Sequence, residues 1–334
     1  MPVTSYPTAP ALAGFTFRHV VMPDDFRAMN DVANAVRQAE GDEWFTSYEQ
    51  FRAYYENLSN CDPATDIVVA ERYGRVVGYG RTEWTEEIDG KRIYYPMAFA
   101  PPAAGRPLLE AITDAMEARC RQIAAHHPAG AKLLASEAQD GAEVRAAMLR
   151  ERGYEPVRYD FLMVRPTLDE LPDAPLPEGL EIRPVRPEQL RQIFDAEVEA
   201  FRDHWGWSAP TEADFQQFLT DPVQGAAGNT ALWQVAWDGD QVAGMVRGFV
   251  NEAENEQFGR RRGWVEHISV RRPWRRRGLA RALIAASIRA LREAGMTEGA
   301  LGVDTENLSG ALRLYESCGF VPSKRSTTYR KPLD

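Results

Sequence analysis

The segment VEHISVRRPWRRRGLARALI, 265–284, has the order strand, arginine-rich turn, helix. A helix N-terminus presents N–H groups without intrahelical partners and the positive end of a dipole, so it is a ready anion site. Within Arg275-Arg276-Arg277-Gly278-Leu279-Ala280, Gly278 permits backbone angles or a close approach that a side chain would block. Ala280 keeps the second approach point small, and the guanidinium groups add charge-assisted contacts to phosphate oxygens. No Lys-Ser/Thr follows the glycine, so this is not a nucleoside-triphosphate loop, and it lacks the three-glycine dinucleotide pattern. Nine arginines fall between Arg260 and Arg281, which also fits a solvated face or a nucleic-acid patch. Only Trp274 is interleaved as a stacking aromatic, which gives single-strand binding little support.

The elements that must position this turn repeat along the chain. VAERYGRVVG (69–78) matches VAWDGDQVAG (235–244) at an offset of 166, and Gly153-Tyr154-Glu155-Pro156 matches Gly319-Phe320-Val321-Pro322 at the same offset. FTFR (15–18) resembles LEIR (180–183) at 165. One recurring offset reads as an internal duplication. The Pro- and Asp-rich segment RPTLDELPDAPLP, 166–178, reads as the linker, with domains at 1–165 and 179–334. In the second half, LEIRPV, TALWQVAW, QVAGMVRGFV and WVEHISV read as strands, with an Asp238-Gly239 hairpin turn. A long helix is expected from about Leu279 to Ala294, ended by Gly295, then a short strand, a helix over about 309–317 and a last strand over 327–330. The fold class is α+β (mixed α/β): two tandem domains, each a mixed, mostly antiparallel sheet flanked by helices.

The chain of 334 residues is 44% hydrophobic and 26% charged, an ordinary soluble globular composition long enough for two domains. No run of about 18 apolar residues suggests a membrane span. The first seventeen residues do not read as a secretion signal, so a cytoplasmic protein is expected. Three scattered cysteines fit neither a disulfide framework nor a zinc site, and no metal is expected. The net charge of -10 argues against a general nucleic-acid binder.

Arg275-x-x-Gly278-x-Ala280 after a strand ending at Val270 resembles the pyrophosphate-binding motif of the GNAT acetyltransferases, which bind acetyl-coenzyme A. Asn307, Ala311, Leu314-Tyr315-Glu316 and Gly319-Phe320 resemble the second signature of that family, N-x-x-A-x-x-x-Y-x-x-x-G-F, and the resemblance covers about 180–334. It implies that Arg275 to Ala280, Asn307 and Ala311 bind the cofactor, and that the backbone at Ile268 and Val270 engages the pantetheine arm and thioester. It implies that Tyr315 protonates the departing thiolate. Glu266, four residues before Val270, is the expected base; His267, facing the other way on the strand, is the alternative. The loop AFRDHWGWSAP (200–210) would line the acceptor pocket with His204, Trp205 and Trp207. Plainer readings remain beside these: a core aromatic for Tyr315, a helix cap for Asn307, an ion pair for Glu266, and tryptophans that cover the core.

At the 166 offset Leu109, Ile112 and Asp114 stand for Arg275, Gly278 and Ala280, and Gly141 and Leu149 stand for Asn307 and Tyr315. The first half is thus expected to keep the fold and to have lost the donor site. Residues 1–170 carry 18 Lys/Arg against 26 Asp/Glu, so an acidic partner domain could attract a cationic amine. The expected function is acetyl-coenzyme A-dependent N-acetylation of a primary amine on a small molecule, with one active site in the second half. The tandem plan resembles members of the family that acetylate a cysteinyl amine on a sugar conjugate. The alternative is a non-catalytic coenzyme A-binding sensor or interaction module; no nucleic-acid or membrane partner is expected.

Overall fold

The computed structural model describes residues 11–306 and 310–333. Two compact units emerge, 1–159 with 326–334, and 160–325. The duplication is visible in the element order. The first unit runs β1 (Thr16–His19), α1 (Phe26–Ala39), α2 (Tyr48–Tyr55), α3 (Pro63–Asp66), β2 (Ile67–Arg72), β3 (Arg75–Glu86), β4 (Arg92–Phe99), α4 (Arg106–Ala125), β5 (Lys132–Gln139) and α5 (Glu143–Glu151). Strand β6 (Glu155–Arg165) carries the chain into the second unit. That unit continues with β7 (Glu181–Arg183), α6 (Leu190–Phe201), α7 (Glu212–Thr220), β8 (Trp233–Asp238), β9 (Gln241–Phe249), α8 (Glu252–Phe258), β10 (Arg262–Val270), α9 (Leu279–Glu293), β11 (Glu298–Asp304) and α10 (Ala311–Ser317). Strand β12 (Val321–Pro332) returns the chain to the first unit.

The halves therefore do not close on themselves as a linker at 166–178 implies. The first unit takes its last strand from the far end of the chain: 326–332 of β12 lie antiparallel to β5. The second takes its last strand from before the expected boundary: 160–165 of β6 lie antiparallel to β11. The linker reading fails for a physical reason as well. Leu168 is 1% exposed in the core of the second unit, and its N–H donates to the Thr297 carbonyl at 3.2 Å.

In the second unit the strands form a meander, β7-β8-β9-β10, all antiparallel, with β11 added parallel to β10 through the crossover helix α9. Helix α9 is amphipathic, burying Leu279, Leu283, Ile284, Ile288 and Leu291 against Val246, Val265 and Leu301. Helices α6 and α7 cover the other face, with Ile193, Phe194 and Phe218 packed on Trp233, Val235 and Met245. Apolar side chains at helical spacing on one side and alternating strand residues on the other give a sheet with two buried faces. None of the helices among the described residues is long and apolar enough to cross a membrane.

Candidate active site

Strands β10 and β11 are paired only at their first residues, Arg262↔Glu298, Gly263↔Gly299 and Trp264↔Ala300. Beyond that point β10 stays with β9 as far as Val270↔Gly244, while β11 stays with β6 as far as Asp304↔Asp160. The two strands splay, and the facing edge of β10 from Val265 to Val270 has no strand beside it among the described residues. An unpaired strand edge accepts an extended chain carrying amides of its own.

A bulge sits at the mouth of the splay. Glu266 faces Arg247 and Ser269 faces Met245, so β10 takes three steps where β9 takes two. His267 absorbs the extra residue with φ 52°. A Cβ on Gly244 would lie 2.7 Å from the Ser269 carbonyl oxygen, so only glycine lets β9 pass beneath the bulge. The conformation of His267 is braced from α6: its Nδ1 lies 2.9 Å from Glu197 Oε1, and Glu197 is clamped by Arg247 at 2.6 and 3.0 Å. Burial works against the Glu197 charge, but Arg247 and His267 outweigh it and hold the carboxyl down at about 2. Burial and Arg247 lower the His267 pKa, so the imidazole is neutral near pH 7. Sequence reasoning missed Glu197 and Arg247; their signal was a charge on an otherwise apolar strand, QVAGMVRGFV, and another on the buried stripe of α6.

Glu266 points into the splay. Its Oε1 accepts the Gly302 N–H at 2.6 Å, and loss of water around it pushes the carboxyl up to about 7, against the pull of the Gly302 and His267 N–H groups. The plainer alternative, an ion pair with a nearby arginine, does not form among the described residues. Tyr315, 7% exposed on α10, is close enough for the Glu266 charge to act on it; burial first, then that charge, raises the phenol and keeps it protonated. Ala311 is buried on the same face of α10. Asn307 lies outside the described residues.

The turn after β10 has the backbone that the sequence predicts. Arg276 (φ 60°) and Gly278 (φ 84°) adopt left-handed conformations, and α9 starts with no side-chain cap on its free N–H groups. Arg276 and Arg277 are exposed beside it, Ala280 is half-buried, and Leu279 turns into the core. The Arg275 side chain does something else. Its Nε donates to the Val270 carbonyl at 2.9 Å, Nη2 to the Ala200 carbonyl at 2.9 Å, and Nη1 meets Asp203 at 2.7 Å. Arg272 shares Asp203, and the two cations hold that carboxyl far below its ordinary range. Arg275 thus fastens the turn to α6, leaving its backbone rather than its guanidinium for an anion.

The loop expected to line the acceptor pocket follows α6. Burial lowers the His204 pKa, and its ring meets the Phe201 ring edge-on at 4.6 Å. Trp205 is 41% exposed, and the Arg202 guanidinium lies 5.7 Å from the Trp207 ring. No group of three His, Cys, Asp or Glu side chains among the described residues could hold a metal.

Comparisons with known proteins show what the chain is similar to. Residues 190–320 match the acetyltransferase (GNAT) family. The chain is 27% identical over 330 residues to a mycothiol acetyltransferase of Salinispora arenicola, covering 97% of this chain and 99% of that one. A GCN5-related N-acetyltransferase from Sphaerobacter thermophilus superposes with a TM-score of 0.68 at 25% identity, over 96% of both chains. A tandem GNAT protein from the clavulanic acid biosynthesis pathway shares the fold, with a TM-score of 0.64 at 16% identity over 96% of this chain and 99% of that one. Residues 190–320 thus carry a GNAT acetyltransferase domain, and the chain is an N-acetyltransferase.

Proposed function

We propose that this N-acetyltransferase transfers acetyl from acetyl-coenzyme A to a primary amine of a small molecule, at one site in the second unit. The carrying observation is the coincidence of three features: the splayed β10–β11 edge, the uncapped start of α9 beyond it, and Glu266 in the splay within electrostatic reach of Tyr315 on α10. The N–H groups at 278–281 and the exposed Arg276 and Arg277 suit a pyrophosphate. The backbone of Ile268 and Val270 suits a pantetheine amide chain, and N–H groups freed by the bulge suit a developing oxyanion.

The donor supplies an activated acyl carbon. In balance, R–NH3+ and the thioester give R–NHCOCH3, a thiol and one proton. Glu266, with a pKa about 7, takes the proton from the ammonium so that nitrogen has a lone pair to attack with. The C–N bond forms, the C–S bond breaks, and Tyr315 gives its phenolic proton to the thiolate. The second proton on nitrogen restores Tyr315 through solvent. His267 is tied to Glu197 and serves to hold the bulge. His204, Trp205 and Trp207 suit the acceptor side.

The mycothiol acetyltransferase relatives favour, as acceptor, the cysteinyl amine of a sugar conjugate to which the tandem plan pointed. The test is a screen of small primary amines with acetyl-coenzyme A and mass detection of acetylated product. Turnover of an amine, strongly slowed by Glu266→Gln with donor binding intact, is expected. Tight coenzyme A binding without transfer to any amine would favour the sensor.

A further inference from the structure

The first unit has a cavity where the second has side chains. Residues 102–104 and 272–274 are matching single turns of 3-10 helix, each following the fourth strand of its unit and preceding its long helix. The buried positions Phe26, Met29, Asn30 and Ala33 of α1 match Ile193, Ala196, Glu197 and Ala200 of α6 at an offset of 167. In the second unit Trp274 is 6% exposed and donates its indole N–H to Asp238 at 2.9 Å. Arg271 lies over that indole at 5.3 Å and pairs with Glu199 at 2.7 Å. The counterparts in the first unit are Ala104 for Trp274, Pro101 for Arg271, Val32 for Glu199 and Arg72 for Asp238. An indole, an ion pair and a carboxylate have become a methyl, a ring, an isopropyl and a cation.

What those substitutions leave is an open cavity of about 420 Å³, lined by Phe15, Val32, Val76, Pro101 and Ala104, with Arg72 and Asp31 as its charged groups. That volume falls in the range of small-molecule sites. Its template in the second unit says what shape fits: a planar aromatic ring. The polarity at its edge is inverted, because Arg72 now stands where the indole met a carboxylate. The Arg72 guanidinium lies 5.5 Å from the Phe15 ring and makes no ion pair among the described residues.

We propose that this cavity is a binding site for a small aromatic carboxylate, its ring in the place of the missing indole and its carboxylate on Arg72. Asp31 disfavours an anion on the α1 side and directs the carboxylate to the hairpin side, where Arg72 lies. The site is separate from acetyl transfer and does not depend on it.

The test is calorimetric titration of the full chain with indole-3-acetate, indole and tryptamine. A ligand of this size in a preformed apolar pocket should bind indole-3-acetate with Kd of about 1 mM or tighter, about tenfold better than indole. Ala104→Trp rebuilds the side chain of the second unit, and should abolish binding and raise Tm. Arg72→Gln, on an exposed residue, should weaken indole-3-acetate about tenfold and leave indole unchanged. Coenzyme A affinity should be unchanged in both variants. Absence of saturable indole-3-acetate binding at roughly 10 mM would overturn the proposal, as would equal affinity in Ala104→Trp or a preference for tryptamine.

Discussion

The two units share a strand order and differ where chemistry would occur. In both, the fourth and fifth strands pair briefly in parallel and then part: Arg92↔Lys132 to Tyr94↔Leu134 in one, Arg262↔Glu298 to Trp264↔Ala300 in the other. In the first unit Met97, Ala98 and Phe99 stay in step with Arg81, Gly80 and Tyr79, so β4 runs straight past the place where β10 bulges. Methionine faces the arginine of the third strand where Glu266 does so in the second unit. The turn before α4 puts Pro107 in the first helical turn, deleting an N–H that its counterpart offers an anion. A splay is thus a property of the fold, whereas a bulge, a proton-accepting carboxylate and an open helix start are local. The donor site proposed for the second unit could be removed without touching the sheet.

The largest effect should come from charge at the start of α9. Gly278→Glu puts a side chain on a backbone at φ 84° and a carboxylate beside a phosphate site, and should abolish coenzyme A binding in titration. Pro102→Glu, at the matching turn of the first unit, should leave binding as it was. Equal losses would mean that both units hold the donor.

Glu266→Gln should lower kcat by about 10²–10⁴-fold with little change in donor affinity. In the parent enzyme kcat/KM should rise with pH through about 7, as Glu266 ionises, and the variant should lose that limb. Linkage gives a second readout. A carboxyl raised in the folded state binds its proton more tightly there than in the unfolded chain. Its contribution to stability is therefore full below about 4.5 and fades as pH rises through about 7. The glutamine variant should flatten that decline.

Glu197→Ala leaves Arg247 buried and unpaired and unbraces His267, costing roughly 3–5 kcal/mol and lowering Tm. The first unit has solved the same problem differently. Its Arg81 pairs with Glu83 at 3.1 Å, and Asn30, at the counterpart of Glu197, bonds instead to the Thr46 carbonyl. Glu83→Gln should therefore destabilise without affecting turnover. The smallest effect belongs to Tyr315→Phe. As a proton donor to a good leaving group it should slow turnover by about 100-fold or less at unchanged donor affinity. A purely structural hydroxyl would cost about 0.5–1.5 kcal/mol of stability and no rate.

Motifs written in consecutive residues were legible. Strand, turn and helix from Val265 to Glu293, the Asp238-Gly239 hairpin and the exposure of Arg276 and Arg277 all follow from local pattern. Pairings across the chain were not. Asp203 reads as part of an acceptor loop yet ties down Arg272 and Arg275, because no periodicity links residues about seventy apart. Glu266 reads as a base, with an ion-pair reading beside it, until the strands are seen to part beside it. The domain boundary was missed because a repeat fixes where each copy of an element lies, but not which copy of the last strand completes which sheet.

That exchange of last strands sets an order of assembly on the ribosome. All pieces of the second unit, 160–325, are made before the strand at 326–332 that completes the first. At about 5–20 residues per second the first unit waits roughly ten to thirty seconds for its final strand. During that time the edge of β5 is open to any other chain. The copy begun first is finished last, and a chaperone that shields a sheet edge would be most useful to the first half.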